Sequence, residues 1–203
     1  AALNAGDRAA RGAMRAYLDA DVLVSPPLMA QLAARLMGSA APLYASGTLH
    51  LTPSSSPATR RFARAWSELP YMTGGVTGAG LYAVNAAGRA RWDAFPDIIC
   101  DDGFVRRQFR PAERVAVPAG YLWPLADGAA ALVRVRRRQE VGNRQLETLY
   151  PHLRDNQGRT RPGMADLWRA LRASPAGFAL YAGVTVIAKL SADPQDQRWH
   201  GSR

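Results

Sequence analysis

Through residue 119 the chain alternates short apolar runs with segments of helical period, and this alternation constrains the fold more than any other feature. Arg15 to Leu18 reads as a strand that runs into Asp19-Ala20-Asp21, with Val22-Leu23-Val24 behind it. Ser25-Pro26-Pro27 then offers Ser25 as an N-cap and proline for a first helical turn, opening a helix over 27–37 that ends at Gly38. Residues 41–52 read as strand. A helix over 58–69 carries Phe62, Ala65, Trp66 and Leu69 at helical spacing. A glycine-rich stretch from Gly74 to Gly80 leads into the apolar run Leu81-Tyr82-Ala83-Val84, followed by a short helix near 86–94. A helix over 103–109 and a strand over 113–119 complete the pattern. The prediction is an α/β fold, a sheet with helices on its faces.

Beyond residue 119 the pattern becomes helical. Asp127 is the expected N-cap of a long helix reaching about Tyr150, and 151–163 reads as a polar loop. Two helices near 164–173 and 175–190 follow. No repeat and no clean boundary precede residue 150, which divides the chain into one α/β part, 1–150, and a helical segment, 151–203. The apolar run from Pro175 to Ala188 is too short for a confident membrane span. With Trp168, Arg169, Arg172 and Lys189 around it, it fits either a buried core helix or a helix lying on a membrane surface.

An apolar fraction of 48% excludes a disordered chain. The net charge is +10, and Lys189 is the single lysine among 26 basic residues. Arginine's planar fork fits phosphate. The basic balance therefore points to nucleotides, nucleic acid or anionic lipid, or else to solvated arginine-rich faces. Cys100 is alone, so no internal disulfide forms and no oxidising compartment is indicated. Three scattered histidines (His50, His152, His200) argue against zinc.

Two acidic pairs stand out. With 12 aspartates in the chain, about one Asp-x-Asp arises by chance, so the spacing of Asp19 and Asp21 says little alone. Their place at the end of an apolar strand says more, because α/β sheets bind ligands there. A divalent cation, Mg²⁺ or Mn²⁺, would balance two such carboxylates and bridge a diphosphate, whereas a turn or cap role is the plainer alternative. Asp101-Asp102 opens a helix, where capping and general-base roles compete. Cys100 beside them reads as a small apolar residue, since anionic neighbours disfavour a thiolate. The glycine run lacks both the P-loop and the dinucleotide fingerprint, so its glycines either let backbone approach a substrate or form an ordinary loop. Arg134 and Arg138 share a helix face with Arg137 close by, a stripe suited to pyrophosphate or merely to solvent.

In order and spacing, these segments resemble family 2 glycosyltransferases of the GT-A fold. The match runs through Leu3-Asn4-Ala5-Gly6, Tyr17-Leu18-Asp19-Ala20-Asp21-Val22, Gly78-Ala79-Gly80-Leu81-Tyr82-Ala83-Val84, the stretch from Phe95 through Asp101-Asp102 to Val105, and Arg138 with Gly142-Asn143. The resemblance implies that Asp19 and Asp21 hold Mn²⁺ or Mg²⁺ and the donor diphosphate. It implies that Asp102, with Asp101 before it, is the base of an inverting transfer. Gly78, Ala79 and Gly80 would line the acceptor site, and Arg138, with Arg134 and Arg137, would face the diphosphate. Val135 and Gln139 depart from the family's Gln-x-x-Arg-Trp pattern, which implies transfer of single sugars.

The resemblance also implies the C-terminal part of a GT-A mixed sheet, followed by C-terminal helices. The first half of the nucleotide-binding sheet, roughly 80–100 residues, would precede Ala1, so this chain alone would bind donor poorly. The implied partners are a nucleotide-sugar, such as a UDP-sugar, and a glycan or lipid-linked acceptor; peripheral membrane contact is the alternative that the run from Pro175 to Ala188 leaves open. The implied location is the cytoplasm, at the inner face of the plasma membrane. The rival function is a non-catalytic protein that binds nucleic acid or anionic lipid through its arginines. The acidic pairs oppose a polyanion, and no helix-turn-helix or aromatic RNA surface is recognisable.

Overall fold

The structure, a computed structural model, describes residues 2–191; the remainder of the expected 151–203 segment, 192–203, lies outside the described residues. The fold is α/β, with a mixed five-stranded sheet and flanking helices. In sequence the strands are β1 (Met14–Leu18), β2 (Leu23–Val24), β3 (Tyr44–Leu51), β4 (Leu81–Asn85) and β5 (Arg114–Trp123), and their order across the sheet is β1-β4-β3-β5-β2. Only β3 and β5 run parallel; the other pairs are antiparallel.

That order has a geometric consequence. Strands β1 and β2 are consecutive in the chain but occupy opposite edges of the sheet. In a flat sheet the edges would stand four strand spacings apart, about 19 Å. Residues 19–22 form a turn closed by the Val22 N–H on the Asp19 carbonyl at 3.2 Å, and such a turn spans less than about 7 Å. The sheet must curl until its edges meet at Asp19–Val22. A register shift between Ser46 and Thr48 helps it bend. Gly47 sits at this shift, where a Cβ would fall 2.7 Å from both the Ala119 carbonyl and the Leu28 side chain.

Alternation along β3 and β4 separates two apolar layers. Ala45, Leu81 and Ala83 face α2 (Leu28–Met37), which buries Leu28, Leu32 and Leu36 at helical spacing. Tyr44, Tyr82 and Val84 face the other way, toward Phe104, Val105, Phe109, Leu146 and Leu153. These come from α6 (Asp101–Arg107), the second half of α7 (Ala129–Leu149) and the segments that follow them. A third cluster joins α3 (Pro57–Trp66) and the start of α7 to α8 (Met164–Ala173) and α9 (Pro175–Ser191), through Phe62, Trp66, Leu132, Ala170 and Val184. Trp123 and Leu51 tie it to the far end of the sheet. The C-terminal helices thus pack on elements of the α/β part. Helix α1 (Ala2–Ala9) has no fully buried residue; Leu3 packs against the second layer, and the Asn4 amide pairs with both backbone groups of Phe95 at 2.7 and 2.9 Å.

Both expected N-caps fail. Pro27 holds the cap position of α2, and no side chain caps it. A capping Ser25 would need N–H groups two or three residues on, and Pro27 has none to give. Asp127 turns instead to the hydroxyls of Ser54 and Ser55, and Gly128, at φ 87°, caps α7. The short helix stops after one turn, α5 (Ala86–Arg89), following the brief α4 (Pro70–Thr73). Arg89 there folds back on the carbonyls of Trp92 and Asp93. Strand β5 runs on past Gly120, which is packed under the His50 ring, to Trp123. The start of the expected polar loop is a 3-10 helix, Pro151–Gln157.

Candidate active site

The turn that closes the curled sheet carries Asp19 and Asp21. The Asp19 N–H donates to the Gly80 carbonyl at 2.8 Å, extending the β1–β4 ladder by one bond and fixing where the turn begins. Val22, 7% exposed, anchors its far side against Gly80. Both aspartates are exposed to solvent, and neither carboxylate has a hydrogen-bond or ion-pair partner among the described residues.

Behind the turn lies the tripeptide Gly78-Ala79-Gly80. Both glycines adopt φ 71°, a left-handed conformation that suits glycine. A Cβ on Gly78 would sit 1.6 Å from the Tyr44 hydroxyl; one on Gly80 would press on Val22 and the Trp123 ring at 2.6 to 2.7 Å. The Ala79 carbonyl accepts from the Tyr121 hydroxyl at 2.8 Å. Gly78 and Ala79 are buried, so they act as the backstop that holds Asp19 in place.

Asp101 and Asp102 form the first turn of α6. Each spends one carboxylate oxygen on its own helix start: Asp101 Oδ1 accepts the Asp102 N–H at 2.8 Å, and Asp102 Oδ1 accepts the Gly103 N–H at 2.7 Å. Neither is the N-cap, a place held by Cys100 with no side-chain cap; both satisfy donors of the first turn, and each carboxylate keeps a second oxygen. The Cys100 thiol lies 3.4 Å from Asp102 Oδ1, and burial, together with that carboxylate, pushes it well above the usual thiol range. It stays protonated, as the sequence suggests.

Helix α7 docks here by close packing. A Cβ on Gly142 would lie 3.0 Å from Ile99 and 3.2 Å from Cys100, and the Gln145 side chain accepts the Ile99 N–H at 3.0 Å. Arg138 lies one turn before Gly142, so this contact brings it to the acidic groups. Arg134 and Arg138 are exposed, whereas Arg137 is half-buried.

Electrostatics shows the convergence. The Asp19 carboxyl is raised above the usual range, first by partial withdrawal from water, then by the charges of Asp21 and Asp102, while Arg138 pulls it down. Asp101 is raised too, by burial and then by Asp102, with a smaller push from Asp19. The four aspartates and Arg138, 119 residues apart at the extremes, thus belong to one electrostatic neighbourhood. Among the described residues no group of three or more His, Cys, Asp or Glu side chains gathers closely enough to hold a metal alone. Two exposed, unpartnered carboxylates still fit Mg²⁺ or Mn²⁺, which commonly take one or two protein carboxylates and fill the shell with phosphate oxygens and water.

Three residues escaped the sequence reading. The Tyr44 phenol is fully buried against Gly78 with no hydrogen-bond partner, and its pKa is driven far up by burial and then by Asp102. Tyr71, stacked on Trp66 at 5.5 Å, also feels Asp102. Arg106 donates to the carbonyls of Val76 at 3.1 Å and Gln157 at 3.0 Å, pinning the approach to the glycine loop. Tyr44 stands at a strand position that reads as core. Arg106 lies four residues past Asp102, a helical spacing that could have marked it.

A scan against models of known families and a search of curated proteins both return no match to the chain.

Proposed function

We propose that this chain carries the diphosphate- and acceptor-handling part of a metal-dependent glycosyltransferase that uses a nucleotide-sugar, such as a UDP-sugar, and inverts the anomeric centre. One observation carries the proposal: Asp19, Asp21 and Asp102, from two separate turns, share an electrostatic neighbourhood with Arg138. Order along the chain and the GT-A-like arrangement of motifs add to it.

Bound Mn²⁺ or Mg²⁺ at Asp19 and Asp21 would supply positive charge against the donor diphosphate. Arg138 donates to its oxygens, with Arg134 on the same exposed face, as guanidinium forks do for phosphate. Asp102 uses its second oxygen to take the proton of an acceptor hydroxyl. The acceptor oxygen then bonds to the anomeric carbon as the bond to the diphosphate oxygen breaks, and nucleoside diphosphate leaves. Gly78-Ala79-Gly80 keeps the Asp19 turn rigid beside this chemistry.

Titration of inorganic pyrophosphate in the presence of Mn²⁺ into the wild type and Asp21→Ala tests the diphosphate site. We expect affinity to fall at least tenfold in the variant; equal affinities would remove the metal assignment.

A further inference from the structure

Helix α9 is apolar on all sides but covered on one. Gly177, Val184 and Ala188 are buried against the rest of the protein, with Tyr181 partly so on the same side. A Cβ on Gly177 would collide with the Arg61 carbonyl at 1.9 Å, so α9 crosses α3 in close contact there. At 100° per residue, Ala179, Ala182, Gly183, Val186, Ile187 and Leu190 fall on the opposite side. All six are exposed, Val186 at 55%, Ile187 at 52% and Leu190 at 84%. They form an unbroken apolar stripe about 17 Å long. Isolated exposed apolar residues are ordinary, but a contiguous stripe on a helix that already spends its other side on the core is not.

Charge says what covers it. Helix α9 contains no acidic residue, and Lys189 stands at the margin of the stripe. Arg144 of α7 donates to the Lys189 carbonyl at 3.3 Å, which adds a second cationic residue at the C-terminal end of the helix, and Arg61 is exposed on the adjoining α3. Arg172 is exposed on α8, as is the Trp168 ring at 59%. The acidic groups on the packed elements are engaged: Asp166 with Arg159 and Arg169, Glu68 with Arg169, Glu140 with Arg136, Glu147 with Arg154. Among the described residues no helix is long and apolar enough to cross a membrane.

We propose that the outer stripe of α9 docks on an anionic lipid surface, apolar side chains entering the headgroup boundary while Lys189 and the neighbouring arginines meet lipid phosphates. This reading is independent of the chemistry proposed at Asp19 and Asp102. It places α7, which packs on α9 and carries Arg134 and Arg138 on its exposed face, close to the membrane.

The test is flotation of the full 203-residue chain with vesicles of phosphatidylcholine alone or with phosphatidylglycerol at three parts in ten. We expect binding to the anionic vesicles and about tenfold weaker binding to the neutral ones. Val186→Asp with Ile187→Asp should lower binding about tenfold or more. Leu190→Asp, at the most exposed position, should do so with the melting temperature unchanged, which separates lost docking from lost folding. Vesicle binding that is absent, or insensitive to both variants, overturns the proposal. So does a wild-type dimer in light scattering that these substitutions convert to monomer, since a second copy would then be the occupant.

Discussion

Asp166 and Asp19 are aspartates at the starts of structural turns, yet their carboxyls are driven in opposite directions. Asp166 lies in the first turn of α8 with 1% of its surface exposed, and it is held below the usual carboxylate range by the Gly163 N–H at 2.8 Å and then by Arg169 and Arg159. Glu113 is of the same kind: Arg91 grips both its oxygens at 2.6 and 2.8 Å and lowers it to about 2. Asp19 is more exposed, yet its carboxyl is raised, first by partial withdrawal from water and then by Asp21 and Asp102, with only Arg138 opposing them. Structural carboxylates here come with cations supplied by the fold. Those at the sheet-closing turn lack enough of them, and such imbalance is what a cation or a proton in transit relieves.

Asp102→Asn should separate the two kinds of carboxylate most sharply. The amide keeps the shape and can still accept from the Gly103 N–H, so the melting temperature should hold. Turnover should fall about 10²- to 10⁴-fold, the usual weight of a general base. Turnover that survives would leave Asp102 a first-turn acceptor only. Next comes Gly78→Ala, which strikes the backstop. With a Cβ driven into the Tyr44 hydroxyl and φ at 71°, we expect about 3 kcal/mol of lost stability in denaturant unfolding. A tolerated alanine would mean that Tyr44 can move and that the loop does not hold Asp19. Asp166→Ala should lower the melting temperature by several degrees while leaving pyrophosphate and Mn²⁺ binding alone. The sign follows from linkage: stability from a lowered carboxyl is complete above the ordinary carboxylate range and is lost as pH falls through the lowered value. The wild type should therefore lose its advantage over the variant in acid.

Much of the fold was legible in the sequence because periodicity reports burial locally. Leu28, Leu32 and Leu36 announce a one-faced helix, and Leu81 to Val84 a buried strand. The strand order was not legible. It depends on pairings such as Ala45 with Val115, 70 residues apart, and on a curl that hinges on Gly47. The placement of the candidate acidic site was legible because Asp19 and Asp21 follow a strand and Asp101-Asp102 opens a helix. Its backstop was not, because Tyr44 at period two looks like any core aromatic until Gly78 is seen against it. Ser25 and Asp127 misled for different reasons: Pro27 removes the donor and leaves the Ser25 hydroxyl without a hydrogen-bond partner, whereas the Ser54 and Ser55 hydroxyls draw Asp127 away.

The smallest effect separates the two kinds of carboxylate most directly. A raised Asp19 means the folded state disfavours its charge, so the wild type gains stability as pH falls through the raised value, the gain being complete below the ordinary aspartate range. Asp19→Asn removes the charge at every pH. Near neutrality it should raise the melting temperature by about 1–2 °C, a small shift because Asp19 is exposed and water screens it. The advantage should vanish in acid, opposite to the pH course for Asp166→Ala. Excess Mn²⁺ should then reverse the order near neutral pH, because ligand binding to the folded wild type stabilises it and the asparagine variant binds the ion poorly. If Mn²⁺ moves both proteins equally, the repulsion at the turn is real but no cation relieves it there.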